Sequence, residues 1–255
     1  AEVVDLYFTA DSLADKESSP DIDAGLLAEA LASDAFEAWF MPQVAIGSGY
    51  VTGVEALARW SLDGRQVSPA RFIPELERGG LIDALTERIL AQACRWRKRW
   101  HDAGMDFVLS VNISMHNLVD VTAADRYQAI VQDAGVDPHD VTLELTESAM
   151  MHEAAQALNV LARLRFKGFG FSVDDFGTGW SSLSQLAQLP VTEIKIDQSF
   201  INGAAGDARN RAVVEASIQL GRKLGLVTVA EGVRNVDEWQ MLAEMGCSRA
   251  QGELI

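Results

Sequence analysis

The sequence predicts an α/β protein, a TIM-like (β/α)8 barrel with the first strand antiparallel. Three observations predict it. Eight strand-like segments can be drawn between helical ones. From residue 106 onward strand and helix alternate, the order of a parallel sheet with helical crossovers. The first two strands are joined only by Gly47-Ser48-Gly49, and three residues cannot make a parallel crossover of a dozen or more. A length of 255 residues suits one such barrel.

Residues 1–21 mix acidic and small residues with Ser-Ser-Pro and read as a linker or tail from an upstream region. A helix is expected at 23–35. WFMPQVAI (39–46) and YVTGVEALARW (50–60) read as the antiparallel pair. Ser68-Pro69 has the chemistry of a helix start, a capping residue followed by proline in the first turn. A long helix follows at about 81–103, ended by Gly104. Its Trp96 and Trp100 stand four apart and read as packing. Strands are then expected at 106–114, 141–147, 169–175, 191–197, 226–231 and 247–251. Helices fill 123–134, 150–167, 180–188, 207–224 and 235–245. No short repeat or low-complexity segment interrupts this order.

Composition narrows the function classes. Lys plus Arg is 21 and Asp plus Glu is 37, a formal charge of −16. That balance argues against a grip on DNA or RNA duplexes, which needs clustered cations. It leaves room for a small anionic ligand if metal ions supply positive charge locally. Cys94 and Cys247 are far apart and neither belongs to a CxxC pair, so a disulfide framework is not expected and a reducing cytoplasm fits. No leader pattern opens the chain and no apolar run reaches ~18 residues. The expectation is a cytoplasmic domain, or the cytoplasmic part of a larger, even membrane-anchored, protein.

The polar residues in the strands carry the chemistry. Side chains alternate faces along a strand. Glu55, Asn112, Glu144, Asp174 with Asp175, Lys195, Glu231 and Gln251 each fall near a C-terminal strand end or inside an apolar run. Seven strands thus converge on one rim with a carboxylate, amide or ammonium. Clustered carboxylates lose hydration and repel one another, so a compensating cation is required. An oxygen-only ligand set suits Mg²⁺ or Mn²⁺. The paired aspartates could serve two neighbouring ions, the usual device for hydrolysing a phosphodiester. Ca²⁺, larger and less demanding in geometry, is expected to inhibit. Beside metals the Lys195 pKa is expected to fall, which suits general-base or water-orienting work. Arg59, four residues after Glu55, is either a surface cation or a phosphate contact. His101, His116, His139 and His152 lie outside the strand ends and form no HExxH or HD pair.

EALARW (55–60) resembles the signature of the EAL-domain cyclic di-GMP phosphodiesterase family. VNIS (111–114), ELTES (144–148), DDFGTG (174–179), KID (195–197), AEGV (230–233) and QG (251–252) resemble further family motifs in the family's order, over about 24–255. The resemblance implies a barrel with one antiparallel strand. It also implies metal-dependent hydrolysis of cyclic di-GMP to linear pGpG. Glu55, Asn112, Glu144, Asp174, Asp175 and Glu231 would hold the ions, with Glu55 and Glu231 counted among the catalytic groups. Lys195 and Gln251 would act on the attacking water. Arg59, with Leu57 and Asp197, would contact substrate. Glu147 would steady the DDFGTG loop, through which family homodimers couple their interface to the metal site. An upstream regulatory domain is expected.

Three positions depart from the family pattern: Met41 before Pro42, Trp180 where tyrosine is common, and Glu253 where an aromatic usually follows Gln-Gly. The chain also stops before the usual tail, which reads as truncation. Two alternatives to an active phosphodiesterase remain: a receptor that holds cyclic di-GMP without cutting it, and another metal-dependent barrel of the enolase type. Every ligand position is filled, which favours the enzyme, and DDFGTG and QG have no place in an enolase-type site.

Overall fold

The structure, a computed structural model, describes residues 22–179, 186 and 189–255; for 148–156 it describes the backbone alone. The linker expected at 1–21, Trp180 and most of the helix expected at 180–188 therefore lie outside the described residues.

β1 (Phe36–Ala45) and β2 (Val51–Leu62) form the antiparallel pair, and a short β3 (Arg65–Val67) folds back on β2. β4 (Val108–Asn112), β5 (Val141–Thr146), β6 (Gly170–Phe176), β7 (Glu193–Ile196), β8 (Val227–Ala230) and β9 (Arg249–Ala250) complete the sheet. The order is β1-β9-β8-β7-β6-β5-β4-β2-β3, with β1 also bonded to β2, so eight strands close into a barrel and β3 hangs outside it. From β2 to β9 neighbouring barrel strands are parallel, and β1 is antiparallel to both of its neighbours. The predicted fold class is the one observed.

Among the described residues the helices include α1 (Ala24–Ala32), α2 (Pro69–Arg78), α3 (Ile82–Asp102), α4 (Ala123–Asp133), α5 (Glu147–Phe166), α6 (Gln198–Ile201), α7 (Ala208–Leu224) and α8 (Val236–Met245). Pro69 opens α2, where a missing N–H costs nothing. Beyond α3, Gly104 takes φ +83°, which suits glycine. Trp96, Trp100 and Phe40 of β1 stack with ring centroids 4.8–6.2 Å apart, so the tryptophan pair does pack. No helix among the described residues is long and apolar enough to cross a membrane.

Most boundaries shift by one to three residues from expectation, and three local differences have a clear cause. The strand expected to run to Ser114 stops at Asn112, because Ser114 caps a 3-10 turn at Met115–Leu118 and bonds reciprocally with Asn117. The strand expected to end at Asp197 stops at Ile196, because Asp197 caps α6. The 65–67 strand follows Asp63-Gly64, both at positive φ, a turn that the Asp-Gly dipeptide encodes.

Alternation decides where the core sits. Leu109, Val111, Leu143, Leu145, Phe171, Val173 and Ile194 point outward into one buried apolar cluster under the helices, and Ile196 into a second. Burying each such side chain contributes about 1.5–3 kcal/mol. The opposite face of the same strands points into the barrel and carries Ser110, Glu144, Ser172, Glu193 and Lys195, also buried. The fold thus puts its apolar core outside the sheet and a polar column inside it.

Candidate active site

Lys195 is the hub of that column. Its ammonium, 1% exposed, donates to Glu55 Oε2 at 3.1 Å and Glu144 Oε2 at 2.8 Å. Asp174 Oδ1 lies 3.3 Å away and Glu231 Oε1 2.7 Å away. Four strands therefore each aim a carboxylate at one amine. Glu55 is held further by Asn112 Nδ2 at 2.7 Å and Gln251 Nε2 at 2.6 Å. The Gln251 amide also reaches Met41 Sδ at 3.1 Å, so the first departure from the family pattern sits against the site.

The charges are set by this crowding. Burial opposes it, but the charges of Glu144, Glu55, Glu231 and Asp174 hold the Lys195 ammonium well above its ordinary pKa. The expected lowering belongs to a metal-loaded site; the four carboxylates alone act the other way. Burial would raise the Glu55 pKa, yet the Lys195 charge and the Gln251 and Asn112 bonds bring it below the usual range. Burial and the neighbouring Glu55 charge push Glu144 far up. Burial, with Asp174 and Glu55 close by, pushes Glu231 up to about 8 against the pull of Lys195. Burial and the Asp174 and Asp197 charges push Asp175 up to about 6.

The crowding that raises the pKa of Glu144, Asp175 and Glu231 is a strain that a bound cation would relieve. Asp174, Asp175 and Glu231 offer oxygens within 4.8 Å of one another, the one such group found among the described residues. Glu144 Oε1 and Gln251 Oε1 are buried without a hydrogen-bond partner. The donors are hard oxygens throughout, which fits Mg²⁺ or Mn²⁺. Asp175 sits at φ +56°, a strained conformation for a non-glycine residue and a recurrent mark of functional turns.

The loop after β6 is tied down by Glu147. Its Oε2 accepts from Gly177 N at 2.7 Å and Gly179 N at 3.3 Å. A Cβ on Gly179 would stand 3.0 Å from Glu147 Oε1, so a side chain there would press on the carboxylate.

A cavity of about 490 Å³ opens beside the cluster. Glu55, Asn112 and Asp174 form its polar end, Leu57 and Arg59 its wall, and Ile73, Leu85 and Ile89 its apolar depth. The Arg59 guanidinium lies 6.0 Å from the Trp39 ring centroid. Asp197, the third residue expected to contact substrate, caps α6. It is not among the cavity's lining residues; its side chain accepts from Ser199 N at 3.0 Å and lies against Asp175. Glu77, Ser114 and His116 also line the cavity, and the sequence assigned none of them a role there. Glu77 Oε1 accepts from Ser114 Oγ at 2.6 Å, and His116 Nδ1 lies 3.1 Å from the same hydroxyl. His116 thus borders the site from the turn after β4 without entering the carboxylate cluster.

A family model described as EAL domain matches residues 25–255. The chain belongs to the EAL domain family. It is 38% identical over 218 residues to the bifunctional diguanylate cyclase/cyclic di-GMP phosphodiesterase MucR of Pseudomonas aeruginosa, covering 85% of this chain and 32% of MucR. A solved PaMucR phosphodiesterase in complex with c-di-GMP superposes with a TM-score of 0.84 at 38% identity, covering 89% of this chain and 93% of that one. The Klebsiella pneumoniae BlrP1 calcium/cy-diGMP complex at pH 8.0 superposes with a TM-score of 0.77 at 25% identity, covering 86% of this chain and 55% of BlrP1. The chain spans about a third of the length of the first curated relatives it matches. Within this EAL domain the signature glutamate, Glu55, occupies the position where Lys195, Asn112 and Gln251 meet.

Proposed function

We propose that this EAL domain hydrolyses one phosphodiester bond of cyclic di-GMP to give linear pGpG, using two Mg²⁺ or Mn²⁺ ions. The observation that carries the reading is the buried ring of carboxylates around Lys195, beside a cavity with Arg59 in its wall. The phosphodiesterase named above, with cyclic di-GMP bound, supports the substrate. BlrP1 with calcium and the nucleotide supports a divalent cation beside it.

Glu55, Asn112, Glu144, Asp174, Asp175 and Glu231 would hold the ions. The ions would supply the positive charge that makes water nucleophilic and that stabilises the attacking and leaving oxygens. The Lys195 ammonium donates hydrogen bonds from Nζ, orients the water and offsets charge that builds on the phosphoryl oxygens. Gln251 fixes Glu55 through its Nε2, would act on the attacking water, and keeps a buried Oε1 without a partner. Arg59 binds phosphate and Leu57 packs against the nucleotide. Asp197, which lies against Asp175, would contact substrate at the edge of the carboxylate cluster. Glu147 keeps the DDFGTG loop seated, and a homodimer through that loop would tune the site. The greater length of the relatives supports an upstream regulatory region, and the proposed nucleotide substrate supports a cytoplasmic location.

The test is to incubate the purified chain with cyclic di-GMP and Mg²⁺ or Mn²⁺ and separate the nucleotides. pGpG in place of substrate is expected, with Ca²⁺ suppressing it. Tight binding with no product would replace the enzyme by a receptor.

A further inference from the structure

Beneath the Lys195 hub, one side-chain layer deeper, the barrel holds a second polar group. Glu193 precedes Lys195 by two residues on β7, Arg249 precedes Gln251 by two at β9, and Gln43 follows Met41 by two on β1. The period of two puts each on the same inward face as its partner in the site. Arg249 Nη1 donates to Glu193 Oε2 at 3.1 Å and to Gln43 Oε1 at 3.5 Å. Gln43 is 0% and Glu193 4% exposed. β2 makes way for this group with Gly53, where a Cβ would stand 2.5 Å from Gln43 Oε1.

The group bridges one of the two shortest joins in the barrel, since β9 pairs with β1 and with β8 through two residue pairs each. β9 is two residues long and meets β1 through two residue pairs, Val44 with Ala250 and Ala45 with Arg249. Gln251 lies just beyond them. Toward β8 it is held by backbone bonds, its N–H to Ala230 O at 2.9 Å and its carbonyl from Val233 N at 3.0 Å. Toward β1 its contact is a side-chain one, to Met41 Sδ. So short a join specifies register weakly, and a one-residue slip would turn every inward side chain outward. A buried ion pair is poor at adding stability, since desolvation offsets its attraction. Its use is geometric: it has one good arrangement where apolar side chains have several.

We infer that Arg249 is a positioning residue: clamped by Glu193 and Gln43, it fixes β9 against β1 and so holds the Gln251 amide on Glu55. This inference rests on the phosphodiesterase reading for its kinetic consequence but not for its geometric one.

The test uses the full chain carrying Arg249→Met, which removes the charge and keeps the bulk, and Glu193→Gln as a milder variant of the same clamp. A crystal structure of either should show Gln251 Nε2 moved beyond hydrogen-bond distance from Glu55 Oε2, with the outer apolar layer unchanged. Arg249→Met should lower kcat about tenfold or more and leave KM within about threefold. Arg249→Lys, which keeps the charge, should recover most of the rate. On top of Gln251→Ala, Arg249→Met should cost nothing further, because both act through one amide. A Gln251 amide still 2.6 Å from Glu55 in the variants, or the same fold-loss with and without Gln251, overturns the inference. A wild-type chain that makes no pGpG overturns the phosphodiesterase reading instead, and the crystallographic result then decides the clamp alone.

Discussion

At the scale of single residues, Lys195 does two jobs that substitution can separate. It balances four carboxylates within 3.3 Å, and it orients the reacting water in the proposed reaction. Removing one member of a buried charge cluster costs about 3–5 kcal/mol, because the partners are left uncompensated. Lys195→Ala should therefore lower the melting temperature of the metal-free protein, and Mn²⁺ should raise that temperature more in the variant than in wild type. Thermal scans with and without Mn²⁺ check this; an equal rise in both would mean that lysine and metal do not share the same carboxylates. The same variant should lose about 10²–10⁴-fold in rate with substrate binding kept. The hub was legible in the sequence because each member sits at a strand end or between apolar neighbours that must face the other way. Glu193 and Arg249 escaped for a physical reason. In strands of four and two residues a charge beside a loop looks like a solvated rim, and only barrel closure turns it inward.

At the scale of elements, the turn after β6 decides whether two aspartates face one point. Asp175 is held at φ +56° and the loop behind it hangs on the Glu147 carboxylate. Glu147→Ala removes both bonds and touches no proposed ligand. It should cut the rate about tenfold and weaken Mn²⁺ binding, because the strained aspartate is then free to relax by an energy of about 1–3 kcal/mol. Calorimetric Mn²⁺ titration beside the rate measures both; unchanged values for each would detach the loop from the site. Strand order and the antiparallel start were legible because three turn residues permit nothing else. Boundaries were less so. Ser114 and Asp197 end their strands by capping, a local bond that strand periodicity does not register. The Asp63-Gly64 turn shows the converse, a signal present in the sequence and outweighed by the longer pattern around it.

At the scale of the whole molecule, an acidic chain concentrates much of its internal charge in one column, and pH should govern what that column binds. A protonated carboxyl does not ligate a cation, so raised carboxyl pKa values weaken metal binding at low pH. With Asp175 near 6 and Glu231 near 8, Mn²⁺ affinity should climb between pH 6 and 8 and level off above. Linkage gives the opposite sign for the metal-free fold. A carboxyl whose folded pKa lies above its unfolded value contributes stability that is complete below the unfolded value and lost as pH rises through the folded one. The metal-free protein should thus soften from about pH 5 to 8 while the Mn²⁺-loaded protein does not; melting curves across that window check it, and a metal-free protein that firms up there would reverse the argument. In the proposed reaction the carboxylates around Lys195 hold a pair of divalent ions. Anomalous scattering from crystals grown with Mn²⁺ and cyclic di-GMP tests it most directly. The account predicts two peaks bounded by Glu55, Asn112, Glu144, Asp174, Asp175 and Glu231, and a nucleotide phosphate beside them. Peaks elsewhere, or none at saturating Mn²⁺ with nucleotide in the cavity, would contradict it.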